Sequence, residues 1–285
     1  MTTYTTTALA ADSAAAIGGV STTDLAAFTP IQFAAISQSA LSGLTKSQVQ
    51  VLPDAVLSTL NFSVLTATAL SGLTRTQFTS VMTPSQLTAL SATQFAGLTT
   101  TNIGMLDTAI TADAFYTLTT TELSGLTSAQ AAALNSTSVG LLTSAQVAGL
   151  TTSAIGALTT TSIALLDLDQ IGGLTTAGIL ALTKLQISAI STTALGGLST
   201  TDTAVLTSTD IGALTTGQIG ALTTDQIGGL TPAAFGGLTG TQIAGLSSDQ
   251  VAGLTTTEAV ALTKTQVGAL STSALAALTT TNLAH

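Results

Sequence analysis

Leucine returns every eight residues through most of this chain. Leu118, Leu126, Leu134, Leu142, Leu150, Leu158, Leu166, Leu174 and Leu182 form one unbroken series, and Ile190 through Leu278 continue it. Five places after most of these stands a second large apolar residue, such as Ile171, Ile219, Ile227 or Phe235. The phrase is Leu-Thr-x-x-Gln-Ile-Gly/Ala-Gly/Ala, with leucine at position 1. A period this short, sustained this long, predicts a repeat architecture in which each unit buries its apolar face only against its neighbours.

The polar positions say which element each octad forms. Glutamine stands at position 5 fourteen times, and thirteen of these have Ser or Thr three residues earlier; the fourteenth, Gln170, has Asp167. Thr143 with Gln146, Thr223 with Gln226 and Thr263 with Gln266 are examples. This is the spacing of a capping box, in which hydroxyl and amide satisfy each other's backbone N–H at a helix start. Pro30, Pro84 and Pro232 follow a Thr at position 3, the first helical position, where a missing N–H costs nothing. Asp167, Asp169, Asp225 and Glu258 fall between cap and third helical residue, where a helix dipole favours anions. Lys46, Arg75, Lys184 and Lys264 all take position 3, against the dipole, so positions 2 to 5 are expected to face water. Positions 1 and 6 form the expected core: Leu118, Leu126, Leu142, Leu150, Leu158, Leu174, Leu246 and Leu254 with Ile171, Ile219, Ile227 and Phe235. Positions 7 and 8 hold 23 of the 26 glycines, suited to close backbone approach and to the dihedrals of a helix end.

Three folds compete. One continuous helix fails, because eight residues at about 100° each overshoot two turns and spiral the apolar stripe around the rod. A β-solenoid with 16-residue coils fits the threonine content, but Leu and Ile alternate at odd spacings that put them on opposite strand faces. An all-α solenoid of very short helices meets every observation: Thr caps, six or seven residues wind, Leu closes, and the next Thr caps again. That is the expected fold, with the β-solenoid as the alternative. Such helices fall below the roughly 12–15 residues at which isolated helices become marginal. Stability must come from stacking, with two or more octads per superhelical turn.

The solenoid is expected to run through 1–285 as one body, less regular over 1–117 and in strict register over 118–285. Five extra residues enter near Asn61–Leu65, one near Val81–Met82 and four near Asp107–Ile110. Insertions in solenoids fall in loops on one face, and that is the expectation here.

Composition narrows the function. Charged residues make up 6%, against about 25% in soluble domains. Four basic residues and a net charge of −9 leave no nucleic-acid footprint. Mean hydropathy is +0.61, but polar residues interrupt every apolar stretch before the roughly 20 residues a spanning helix needs, so no membrane insertion is expected. The first residues lack the basic segment of a secretory signal. There is no cysteine, and His285 is the only histidine, so no catalytic triad assembles and no catalytic residue is assigned. No cofactor is expected. Asp167 with Asp169, and Asp107 with Asp113, are weak calcium candidates, lacking the spacing of known calcium loops.

With its Thr/Ala/Gly-rich, acidic, cysteine-free composition and phrases such as Leu222–Ile227 (LTTDQI) and Leu142–Val147 (LTSAQV), the chain resembles bacterial secreted low-complexity repeat surface proteins, adhesin-like or S-layer-like and exported by type I-like routes. The resemblance implies an extracellular or cell-surface role, with export lacking a cleaved N-terminal signal. The function expected is a non-enzymatic structural protein whose partner is itself, assembling into filaments or a surface layer. The alternative is a monomeric adhesin that binds a protein or glycan, with Tyr116 and the insertion zones as its only hints. Threonine ladders make ice binding a remote third reading.

Overall fold

A computed structural model describes residues 4–106 and 117–278 of the chain. Among them are 32 α-helices, one 3-10 turn and no strand, so the protein is an all-α solenoid and the β-solenoid is excluded. Asp107, Asp113, Phe115, Tyr116, His285 and the slip at Asp107–Ile110 lie outside the described residues.

Each octad is one short helix, of six or seven residues as foreseen at some octads, such as Thr216–Ala221, and of four or five at the others. Lengths run from four residues, at Gln38–Leu41, to seven, at Arg75–Val81. After the six-residue helices the chain turns through two extended residues; after shorter ones the C-cap stays in the right-handed region, as at Gly229 with φ −83° and ψ −13°. After Thr216–Ala221, Leu222 has φ −65° and ψ 139°, Thr223 has φ −69° and ψ 163°, and the helix Thr224–Gly228 begins. The leucine closes one helix, its N–H donating to Ile219 O, and the threonine opens the next. Glycines do stand at helix ends, as at Gly229, Gly237, Gly245 and Gly253, but in the right-handed region, and no described glycine has a positive φ, so these ends are not left-handed caps.

Two compact units divide the chain: Met1–Leu141 with Gly149–Ala154, and Leu142–Ala148 with Ile155–His285. In the first, Thr6–Ala11 packs on Pro30–Ala35, Ala14–Gly18 on Gln38–Leu41, and Thr22–Ala26 on Lys46–Val51. In the second, one column runs through Thr160–Ala164, Lys184–Ala189, Ser208–Ala213, Pro232–Gly236 and Thr256–Ala261, whose first residues stand 24 apart. In these columns a coil is therefore three octads, and each helix rests on the third one along.

The irregularities near residues 61 and 82 are absorbed into the stack instead of looping out, which corrects the expectation for both. Asn61 caps a 3-10 turn at Phe62–Val64, and Phe62 and Leu65 are buried. This shortened unit takes a helix's place in the column, packing on Gln38–Leu41. At Val81–Met82 the extra residue lengthens the helix Arg75–Val81, and both side chains are buried.

Candidate functional site

The described residues hold no group of three or more His, Cys, Asp or Glu side chains able to bind a metal ion. Asp167 caps Leu168–Gly172: its Oδ1 accepts from Gln170 N at 2.8 Å, and Gln170 Oε1 accepts from Asp167 N at 2.9 Å. Asp169 is exposed in the first turn of that helix. The side chains with the most connected chemistry are instead the position-5 glutamines, which tie successive coils together.

The clamp begins as the local capping box. At Thr215, the backbone N–H donates to Gln218 Oε1 at 2.7 Å, the hydroxyl donates to the same oxygen at 3.0 Å, and Gln218 N donates to Thr215 Oγ1 at 3.2 Å. Thr143 with Gln146 and Thr263 with Gln266 repeat the pattern. With its oxygen engaged, the amide must point its NH2 elsewhere, and it points inward. Gln218 Nε2 donates to Ser188 O at 3.0 Å and Ile190 O at 2.7 Å, in the preceding coil. Gln226 reaches Leu195 O at 2.8 Å and Leu198 O at 2.7 Å; Gln242 reaches Ile211 O at 2.8 Å and Leu214 O at 2.7 Å.

In each pair the nearer acceptor, such as Leu198 O or Leu214 O, is the carbonyl of the residue that closes a helix, while the farther one, Leu195 O or Ile211 O, also takes the backbone N–H of that closing leucine. A buried carbonyl without a partner costs about 1–3 kcal/mol, and each of these glutamines supplies a donor to one such closing carbonyl and a second donor to the other. Position 5 is therefore interior, not solvent-facing as its polarity and the neighbouring charges suggest. Gln130, Gln146, Gln226, Gln242 and Gln266 are buried beside Leu118, Leu126, Leu142, Leu150, Leu158, Leu174, Leu246, Leu254, Ile171, Ile219, Ile227 and Phe235. Burial is tolerated because the amide donates and accepts in full. Positions 2 to 4 do face water at most octads.

The sequence carried a signal for this. A capping box works with Glu as well as Gln, and the helix dipole favours Glu. Yet position 5 holds fourteen glutamines and only two glutamates. That preference makes sense only if the NH2 has a partner. Other residues at the position serve less completely. Asn102 is one carbon shorter: Nδ2 reaches Leu73 O at 3.1 Å, which leaves its buried Oδ1 without a partner.

At the start of the column the aromatic rings take part. Tyr4, Phe28 and Phe33 pack together, with centroids 4.9 Å apart for the first pair and 5.6 Å for the second, while Gln32 Nε2 donates to Tyr4 O at 2.8 Å. The cap hydroxyl is the clamp's other half. Thr223→Ala is expected to cost about 1 kcal/mol, read as a lower urea midpoint. An unchanged midpoint would mean that Gln226 is held by the inter-coil bonds alone.

Residues 206–232 match the ALTTAQ repeat family. The stretch contains Ala213–Gln218 (ALTTGQ) and Ala221–Gln226 (ALTTDQ), each one residue from the family phrase. A comparison with curated proteins finds no match to this chain. The chain is thus a repeat protein with a helical solenoid architecture. No described helix is long and apolar enough to cross a membrane.

Proposed function

We propose that this protein is a non-enzymatic structural element at the cell surface or outside the cell, which assembles with copies of itself into filaments or a layer. The observation that carries the reading is where the reactive groups go. Asp167, Glu258 and the glutamines are spent on helix caps and coil junctions, leaving a Thr-, Ser- and Gly-rich exterior. Large, nearly neutral surfaces of this kind put little charge repulsion between copies. The second unit also exposes Leu165, Leu168, Leu180 and Leu185, which supports burial against another copy.

The competing reading, a monomeric adhesin that holds a protein or glycan, draws on one feature. A shallow groove of about 560 Å³ is lined by Ser144, Leu168, Asp169, Gly173 and Gly197. Electron microscopy of the purified chain separates the two. Filaments or sheets that grow with concentration support assembly. Uniform single particles at every concentration would overturn it and favour the adhesin.

A further inference from the structure

We propose that Glu258 is a proton-operated latch between coils: protonated, it closes on the preceding coil as the glutamines do, and ionised, it holds that junction open. Glu258 is the third residue of Thr256–Ala261, and its Oε2 accepts from Thr255 N and from Thr255 Oγ1, both at 2.8 Å. The residue is 1% exposed, and its other oxygen, Oε1, is buried without a partner.

The register says what Oε1 faces. Gln250 donates to Ile219 O at 3.0 Å and Leu222 O at 2.7 Å, 31 and 28 residues back. Gln226 and Gln242 keep the same two offsets, and Gln266 donates 28 residues back to Leu238 O at 2.8 Å. Counting back 31 and 28 from Glu258 gives Ile227 and Leu230. Oε1 therefore occupies a place built for a donor. A carboxylate there sets negative oxygen against carbonyl oxygen, whereas a carboxylic acid supplies one O–H in the position of the amide NH2.

Asp202 shows the other solution. Its Oδ1 accepts from Thr176 Oγ1 at 3.2 Å, so that carboxyl has found a donor in the preceding coil. Glu258 has none. Around it, Pro232–Gly236, on which its helix packs, has no titratable group. Asp225 on Thr224–Gly228, Asp249 on Ser248–Ala252 and Lys264 on Lys264–Ala269 are all exposed. Burial raises the Glu258 carboxyl above the ordinary glutamate value, and the two bonds from Thr255 only partly oppose it. A group raised in the folded state stabilises fully below the unfolded value and loses that contribution as pH rises through the folded one.

The chain has only two glutamates, Glu122 and Glu258, so carbon-13 labelling of glutamate gives two carboxyl resonances, assigned by Glu258→Gln. The Glu258 signal is expected to titrate above the ordinary value of about 4.3. Glu258→Gln is expected to raise the unfolding midpoint at neutral pH and to remove one component of the stability that wild type loses as pH rises. Gln266→Glu should introduce such a component. Titration of Glu258 at the ordinary value, or a variant that is no more stable at neutral pH or fails to fold, would overturn the latch. So would calcium stabilising wild type but not Glu258→Gln at neutral pH, since a cation would then be the natural occupant.

Discussion

Gly43→Ala is expected to lower stability by about 3 kcal/mol or more, through one added methyl group. A Cβ built on Gly43 stands 1.8 Å from Ala14 O, 2.4 Å from Ala14 C and 2.7 Å from Ala14 Cα. All three are backbone atoms of the preceding coil, so no side chain can rotate away. The coils must part, and parting stretches the neighbouring clamp from Gln48 to Ile17 and Val20. Gly197 repeats the arrangement in the second unit, where its Cβ would lie 2.1 Å from Leu168 O. Gly268 is the control. It stands in the helix Lys264–Ala269 with nothing within 4 Å of a built Cβ. Gly268→Ala should gain about 0.5–1 kcal/mol by reducing the freedom of the unfolded chain. Urea unfolding of both variants decides the matter; similar midpoints for the two would refute close approach as the reason for glycine at Gly43.

Gln48→Ala is expected to cost about 2–3 kcal/mol, more than the loss of a cap alone. Gln48 Oε1 accepts from Thr45 N at 2.8 Å, and Nε2 donates to Ile17 O at 2.8 Å, Gly18 O at 3.3 Å and Val20 O at 2.8 Å. Removing the side chain takes the partner from the Thr45 N–H and the donor from the buried Val20 carbonyl, whereas Ile17 O keeps the N–H of Val20. Gln32 has the same capping box but one inter-coil bond, to Tyr4 O, and is half-buried. Gln32→Ala should therefore cost only about 1 kcal/mol. Equal losses from the two substitutions would reduce the glutamine to a capping residue.

The helices themselves were legible because their determinants are local. The Thr223 hydroxyl meets Gln226 N three residues away, a contact set by backbone geometry once the chain begins to wind. The apolar pair at positions 1 and 6 was legible for the same reason, since a helix of this length has only one inward face. The clamp was half legible. The capping spacing concealed it, because one side chain serves two purposes and the first explained its presence. The shortened unit at Phe62 looked like an insertion, since three residues of 3-10 helix carry no periodicity of their own.

By itself, then, the sequence determined that this chain is a series of capped, very short helices that cannot stand alone, with leucine and isoleucine turned inward. Only the tertiary structure decided that three octads make a coil. That number is the sum of many small rotations at the two-residue turns, none of which is written in any single octad. It brings position 5 against carbonyls 28 and 31 residues back, and position 8 against backbone 29 residues back at Gly43 and Gly197. The glutamine is thereby a buried clamp instead of a surface polar group, and glycines such as Gly43 and Gly197 are points of contact between coils.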